Sequence, residues 1–183
     1  MRAAEAMNDL MKSRVMPVLF CVLLLFLLAG CPYESRSPLG KPAEAKIDEK
    51  LLGRWKFEDK EKKESGLVTI SRFNESELLI VLEEEGKKEQ GMMRGFVTDI
   101  DGTKFLNLQD MQGGYKARKW IFVRYETGDC SLTYRLVNDS IAPDSGDREL
   151  SPGQLYGLIK KNIDDTLIYD EGTTLTCVGG KGK

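Results

Sequence analysis

Between residues 51 and 178 the chain reads as short runs of alternating apolar and polar positions, cut apart by turn residues. Residues 67–73 are rich in β-branched side chains, and 77–83 form a dense apolar run. With 53–57, 90–100, 104–109, 120–126, 131–137 and 173–178 they predict a series of strands at short spacing. Asn74-Glu75-Ser76, Glu85-Gly86-Lys87, Asp101-Gly102, Gln112-Gly113-Gly114 and Gly128-Asp129 separate them, and these residue types tolerate positive φ in tight turns. Strands joined so briefly must be antiparallel neighbours. Trp120, Phe122 and Arg124 alternate with Ile121, Val123 and Tyr125, which predicts one buried and one partly wet face. An eight-stranded meander exposes two edges unless it closes, so the expected fold is mainly β, an up-and-down antiparallel barrel.

One segment follows the helical period instead. Ser151-Pro152-Gly153-Gln154 supplies an N-cap serine, a proline at the first helical position and a glutamine placed to complete a capping box. Leu155, Leu158 and Ile159 then form an apolar stripe, and Lys160 and Lys161 stand at the negative end of the helix dipole. The stripe predicts one short helix packed on the barrel before the last strand.

The N-terminal pattern is different again. A basic leader (Arg2, Lys12, Arg14) precedes an apolar run, residues 15–28, too short for the roughly 20 residues of a membrane span. It ends in Leu28-Ala29-Gly30-Cys31, which resembles the lipobox of bacterial lipoproteins. The resemblance implies that residues 1–30 are a signal peptide and that Cys31 carries the lipid, a palmitate-type acyl anchor in the membrane. Pro32, where enteric-type sorting uses aspartate for inner-membrane retention, favours the outer membrane of a diderm host. Residues 31–46, with Ser35, Ser37, Pro38, Gly40 and Pro42, read as a flexible tether, and 47–183 as the domain. About 16 flexible residues span roughly 20–25 Å.

Charge and composition remove several functions. Lysine and arginine number 27 against 29 acidic residues, for a net charge of −2, so a basic nucleic-acid footprint is not expected. Histidine is absent, and with it the commonest general base and transition-metal ligand. Asp99-Ile100-Asp101-Gly102 matches only the start of a calcium loop and is better read as a hairpin turn. No metal, cofactor or catalytic residue is expected. Cys130 and Cys177 share register with Leu132 and Leu175; outside the cytoplasm they form a disulfide or remain two buried thiols.

Gly53-Arg54-Trp55 at the head of the first strand resembles the Gly-x-Trp signature of lipocalins and the wider calycin group. Residues 51–178 as a whole, with Lys104-Phe105-Leu106-Asn107-Leu108-Gln109 as a second stretch, resemble bacterial lipocalin-like lipoproteins. The resemblance implies that Trp55 plugs the closed end of the barrel under an arginine from a late strand, Arg124 or Arg135. It also implies a cup whose lining, or whose filled core, includes Trp55, Phe57, Met92, Phe96, Phe105, Phe122 and Tyr134. The partner would be an apolar small molecule in the first case, and another envelope protein in the second. Trp120, nearer a loop, is expected to matter less for stability than Trp55.

Overall fold

Apart from the long segment before the last strand, connections of two to nine residues leave each strand little choice of neighbour but the next, and the strands pair in that order. The computed structural model describes residues 31–59, 64–88, 90–112, 118–142 and 150–179. The expected signal segment, residues 1–30, and the Gly113-Gly114 turn lie outside the described residues. The strands are β1 (Gly53–Asp59), β2 (Glu64–Arg72), β3 (Leu78–Glu84), β4 (Gln90–Ile100), β5 (Thr103–Asp110), β6 (Trp120–Thr127), β7 (Ser131–Leu136) and β8 (Thr173–Cys177). They form a closed barrel in sequence order, every pair antiparallel. Closure comes where Trp55 and Lys56 of β1 pair with Cys177 and Thr176 of β8. The topology is consistent with a lipocalin.

The turn between β4 and β5 shows how local chemistry sets register. Asp101 and Gly102 both have positive φ, 52° and 88°, as a two-residue hairpin matched to the right-handed strand twist requires. The Gly102 amide donates to Asp99 Oδ1 at 2.7 Å, so the acidic pair serves a hairpin. Ile100 then faces Thr103, and every later pair of these strands follows.

The helix α1 (Pro152–Lys161) begins with the expected capping box: the Gln154 amide donates to Ser151 Oγ, and the Ser151 amide to Gln154 Oε1 at 3.0 Å. Leu155 and Ile159 are fully buried, and Lys160 reaches Asp101 Oδ2 at 3.0 Å. The helix covers the outside of the barrel. Its two leucine and isoleucine knobs join Phe96, Phe105, Phe122 and Trp120 in one outer cluster, separate from the inner cluster around Trp55, Ile80 and Leu175. This corrects the expectation for β6. Trp120 and Phe122 on its outer face are 4% and 0% exposed, as buried as Val123 and Tyr125 on its inner face. Trp120 meets Phe96 edge-on at 5.4 Å and lies under the Arg94 guanidinium. Trp120 is therefore as much a core residue as Trp55.

The tether is the second correction, because residues 32–45 lie on the barrel as a strap. Pro32 pairs with Asn138, and Ser35 with Trp120 through hydrogen bonds in both directions at 2.9 and 2.6 Å. The Tyr33 amide donates to the Val137 carbonyl at 2.8 Å. Proline at 32 costs nothing there, since the amides that pair belong to Tyr33 and Ser35. Leu39, 3% exposed, enters the outer core, and its amide donates to Asn107 Oδ1 at 2.9 Å. Asn107 has no exposed surface, and its Nδ2 donates to the Phe96 carbonyl and Thr98 Oγ1. Removing one partner from so buried a set costs about 1–3 kcal/mol. Asn107→Ala should lower stability by that amount in chemical denaturation. The Leu39 amide should also lose its protection from hydrogen exchange before the barrel strands do.

Candidate functional site

Since successive strand residues face opposite sides, β1 to β8 send one residue in two into the barrel. Those side chains do not fill it. A cavity of about 210 Å³ remains, walled by Val68, Ile80, Met93, Leu108, Ile121 and Leu136 from six different strands. Leu175 and Tyr134 also line it, and Leu51 and Tyr125 line it toward the Trp55 end.

The aromatic candidates divide by strand register. Trp55, Phe57 and Tyr134 are on the inner side, and of these Tyr134 lines the cavity. Met92, Phe96, Phe105 and Phe122 are not lining residues. Phe96, Phe105 and Phe122 belong to the outer core, and Met92 alternates with the cavity residue Met93. The true lining was readable only as the opposite parity of the same strands.

The Trp55 end is closed by the turn at residues 47–52. Gly53 enters β1 with φ of 141°, a conformation that side-chain-bearing residues rarely adopt, and this turns the chain back across the barrel end. Leu51 is fully buried, and its carbonyl accepts the Trp55 indole N–H at 2.9 Å. Arg124 and Arg135 do not cover the indole, which corrects that expectation. Both alternate with inward residues and so lie outside. Arg124 stacks on Tyr169 at 5.5 Å and donates to the Ile163 carbonyl at 3.0 Å.

The floor is held by Asp48 in place of an arginine. Asp48 Oδ2 accepts from Lys104 Nζ at 2.6 Å and from the Tyr125 hydroxyl at 3.0 Å, and Oδ1 accepts from the Lys50 amide at 3.1 Å. Glu49 pairs with Arg72, tying the same turn to β2. Cys130 and Cys177 are joined as a disulfide, with Cα atoms 5.1 Å apart, beside the Trp55–Cys177 strand pairing. A closed loop of this length contributes about 2–4 kcal/mol in the chain-entropy account.

Chemically, the cavity offers hydrocarbon. The Tyr125 hydroxyl is turned to Asp48, and burial pushes both Tyr125 and Tyr134 above the ordinary phenol range, keeping them neutral. A ligand there would be held by apolar burial and dispersion. A second concavity, of about 290 Å³, lies by Arg124, Thr133, Arg135 and Asp164, but it is polar and already carries both signs of charge. Among the described residues no group of three or more cysteine, aspartate or glutamate side chains could hold a metal ion.

Burial alone would raise the Asp48 pKa, but the Lys104 hydrogen bond, the Lys50 amide and the Tyr125 hydroxyl outweigh it and hold the carboxyl below its usual 3.8. Its contribution to stability is therefore complete above that value and is lost as pH falls through the lower folded-state pKa. Tyr125 works on the other flank: raised by burial and then by the Asp48 charge, it resists ionising, so stability falls as pH rises past 10. Denaturation curves measured from pH 2 to 11 should show both flanks. Asp48→Asn should flatten the acid one, and Tyr125→Phe should reduce the alkaline one.

No family model matches the sequence, and no match was found among curated proteins or solved structures. The fold itself is a closed eight-stranded up-and-down barrel with a tryptophan near the head of the first strand.

Proposed function

We propose that this protein is a lipid-anchored lipoprotein of the cell envelope, held through Cys31, whose barrel takes up a small apolar ligand or a segment of an acyl chain. In a diderm host the outer membrane is the proposed site. The observation that carries the binding role is the hydrocarbon-walled cavity at the barrel centre. Concave hydrocarbon surface of this kind takes up small apolar molecules by removing their surface from water. At about 210 Å³ it is smaller than the roughly 300–1,000 Å³ of drug-sized sites, which limits the ligand to a short alkyl or acyl segment. The same small volume favours a second reading, an envelope scaffold that binds a protein partner with its outer surface, its barrel largely filled by its own side chains and holding no ligand.

Two measurements test the proposal. Labelled palmitate fed to the host should mark the protein, and Cys31→Ser should abolish the label and move the protein to the soluble fraction. Equal detergent partitioning of the two forms would remove the anchor from the reading. For the cavity, 1-octanol titrated into the Cys31→Ser protein should shift the methyl resonances of Ile80 and Leu108 saturably. Leu108→Phe, which fills the cavity from one wall, should weaken that binding by an order of magnitude or abolish it. An octanol titration with no saturable shift, in a folded protein, selects the scaffold.

A further inference from the structure

The strap has a direction as well as a position. Its last residues before β1 lie at the Trp55 floor, where Asp48 meets Lys104 and Tyr125. Its first residues lie at the opposite end. Ser35 pairs with Trp120, where β6 begins, and Pro32 with Asn138, just past the end of β7. Cys31 is exposed and one peptide bond beyond Pro32.

One residue spans at most about 3.6 Å. Strands of five to eleven residues in a tilted barrel give a wall roughly 13–28 Å high. An acyl chain on Cys31 that enters a bilayer therefore brings the end of the barrel opposite Trp55 to the lipid. The floor cannot take its place unless the strap peels off Asn107 and Trp120. A flexible tether would have allowed any orientation.

A second observation marks the same end. The most exposed large apolar side chain among the described residues is Leu167, at 76%. It stands in a 3-10 turn, Thr166–Ile168, bonded to the residue that pairs with Pro32: Asn138 Nδ2 donates to the Leu167 carbonyl at 3.0 Å, and the Asn138 amide to that of Ile168 at 2.9 Å. Pro32, Asn138 and Leu167 are thus neighbours across two successive backbone pairings. Phe73 and Val178, the other exposed large apolar residues, adjoin β2 and β8 at the floor end.

We infer that the barrel rests on the membrane with the end opposite Trp55 toward the lipid, and that Leu167 enters the interface beside the Cys31 anchor. The inference rests on the proposed lipidation of Cys31. It names the partner surface: the headgroup–acyl boundary, into which an apolar side chain reaches about 5–10 Å. It also sets the end opposite the floor against the hydrocarbon on which the cavity would draw.

The test uses the lipoprotein purified from its host and reconstituted into phosphatidylcholine vesicles whose acyl chains are brominated near the headgroup. Leu167→Trp and Phe73→Trp each add one indole at an exposed site, and the parent protein supplies the background of Trp55 and Trp120. Bromine should quench the emission added by Leu167→Trp to about half or less, and leave that added by Phe73→Trp unchanged, since only the first lies within the boundary depth. Equal quenching of the two, or stronger quenching at position 73, overturns the orientation. The mass of the Cys31 peptide separates the two failures. A modified Cys31 with an unquenched indole at 167 leaves the anchor standing and removes the orientation. An unmodified Cys31 on protein that does not float with vesicles removes both.

Discussion

The buried amide of Asn107 is the interaction on which the arrangement of this molecule depends. A side-chain amide has one acceptor oxygen and two donor hydrogens, and leaving them unmet inside a protein is costly. Here the oxygen is met by the Leu39 amide, and the nitrogen by the Phe96 carbonyl and Thr98 hydroxyl. Two of these partners are on the strand next to Asn107 and come with the sheet. The third is 68 residues away in sequence and is supplied only if the N-terminal strap lies across β4 and β5. The strap in turn brings Leu39 into a cluster that also needs α1, so one polar clamp and one apolar knob hold the outside of the barrel together.

The result is a sheet with two unlike faces, both buried over β5 and β6. The outer face carries rings, because a helix and an irregular strap leave gaps that large planar side chains fill well. The inner face carries mostly valine, leucine and isoleucine, and still falls short of filling the barrel. That shortfall is the candidate site. The floor beneath it is a combination of shape and charge: the Trp55 indole bonded to Leu51, Asp48 shared between Lys104 and Tyr125, and the disulfide beside the closing strand pair. The side chains on which the floor depends come from β1, β5, β6, β8, the turn before β7 and the turn at 47–52, so the end is closed only when distant parts of the barrel are together.

The strap also changes what a lipid on Cys31 would mean. A long slack linker makes an anchor a matter of proximity. A bound strap makes it a matter of orientation, because the lipid then leaves the barrel at one end. The exposed Leu167 lies beside that exit through Asn138, whose backbone pairs with Pro32 and whose side-chain amide donates to the Leu167 carbonyl.

Much of this was legible in the sequence, and the reason is that strands, turns and caps are local. Period two, Asp101-Gly102 and Ser151-Pro152-Gly153-Gln154 each act within a few residues, so the strand order, closure as an antiparallel barrel and α1 followed from them. The alternation of β4, β5 and β6 was equally plain, but alternation defines two faces without saying which one is inside. Met92 and Met93, or Phe122 and Val123, are equivalent until something covers one side. That decision was made by α1 and by residues 32–45, both remote in sequence. It moved Phe96, Phe105 and Phe122 to the outer core and gave the cavity to Val68, Ile80, Met93 and Leu108. The strap could not be read as ordered for the same reason. Its few anchors, Tyr33, Ser35 and Leu39, have no period, and each has a partner far along the chain in Val137, Trp120 or Asn107. Sequence by itself determined the elements and their order, since these depend on neighbours in the chain; tertiary structure alone decided the inside, the cover and the path of the N-terminus, since these depend on contacts that no local pattern contains.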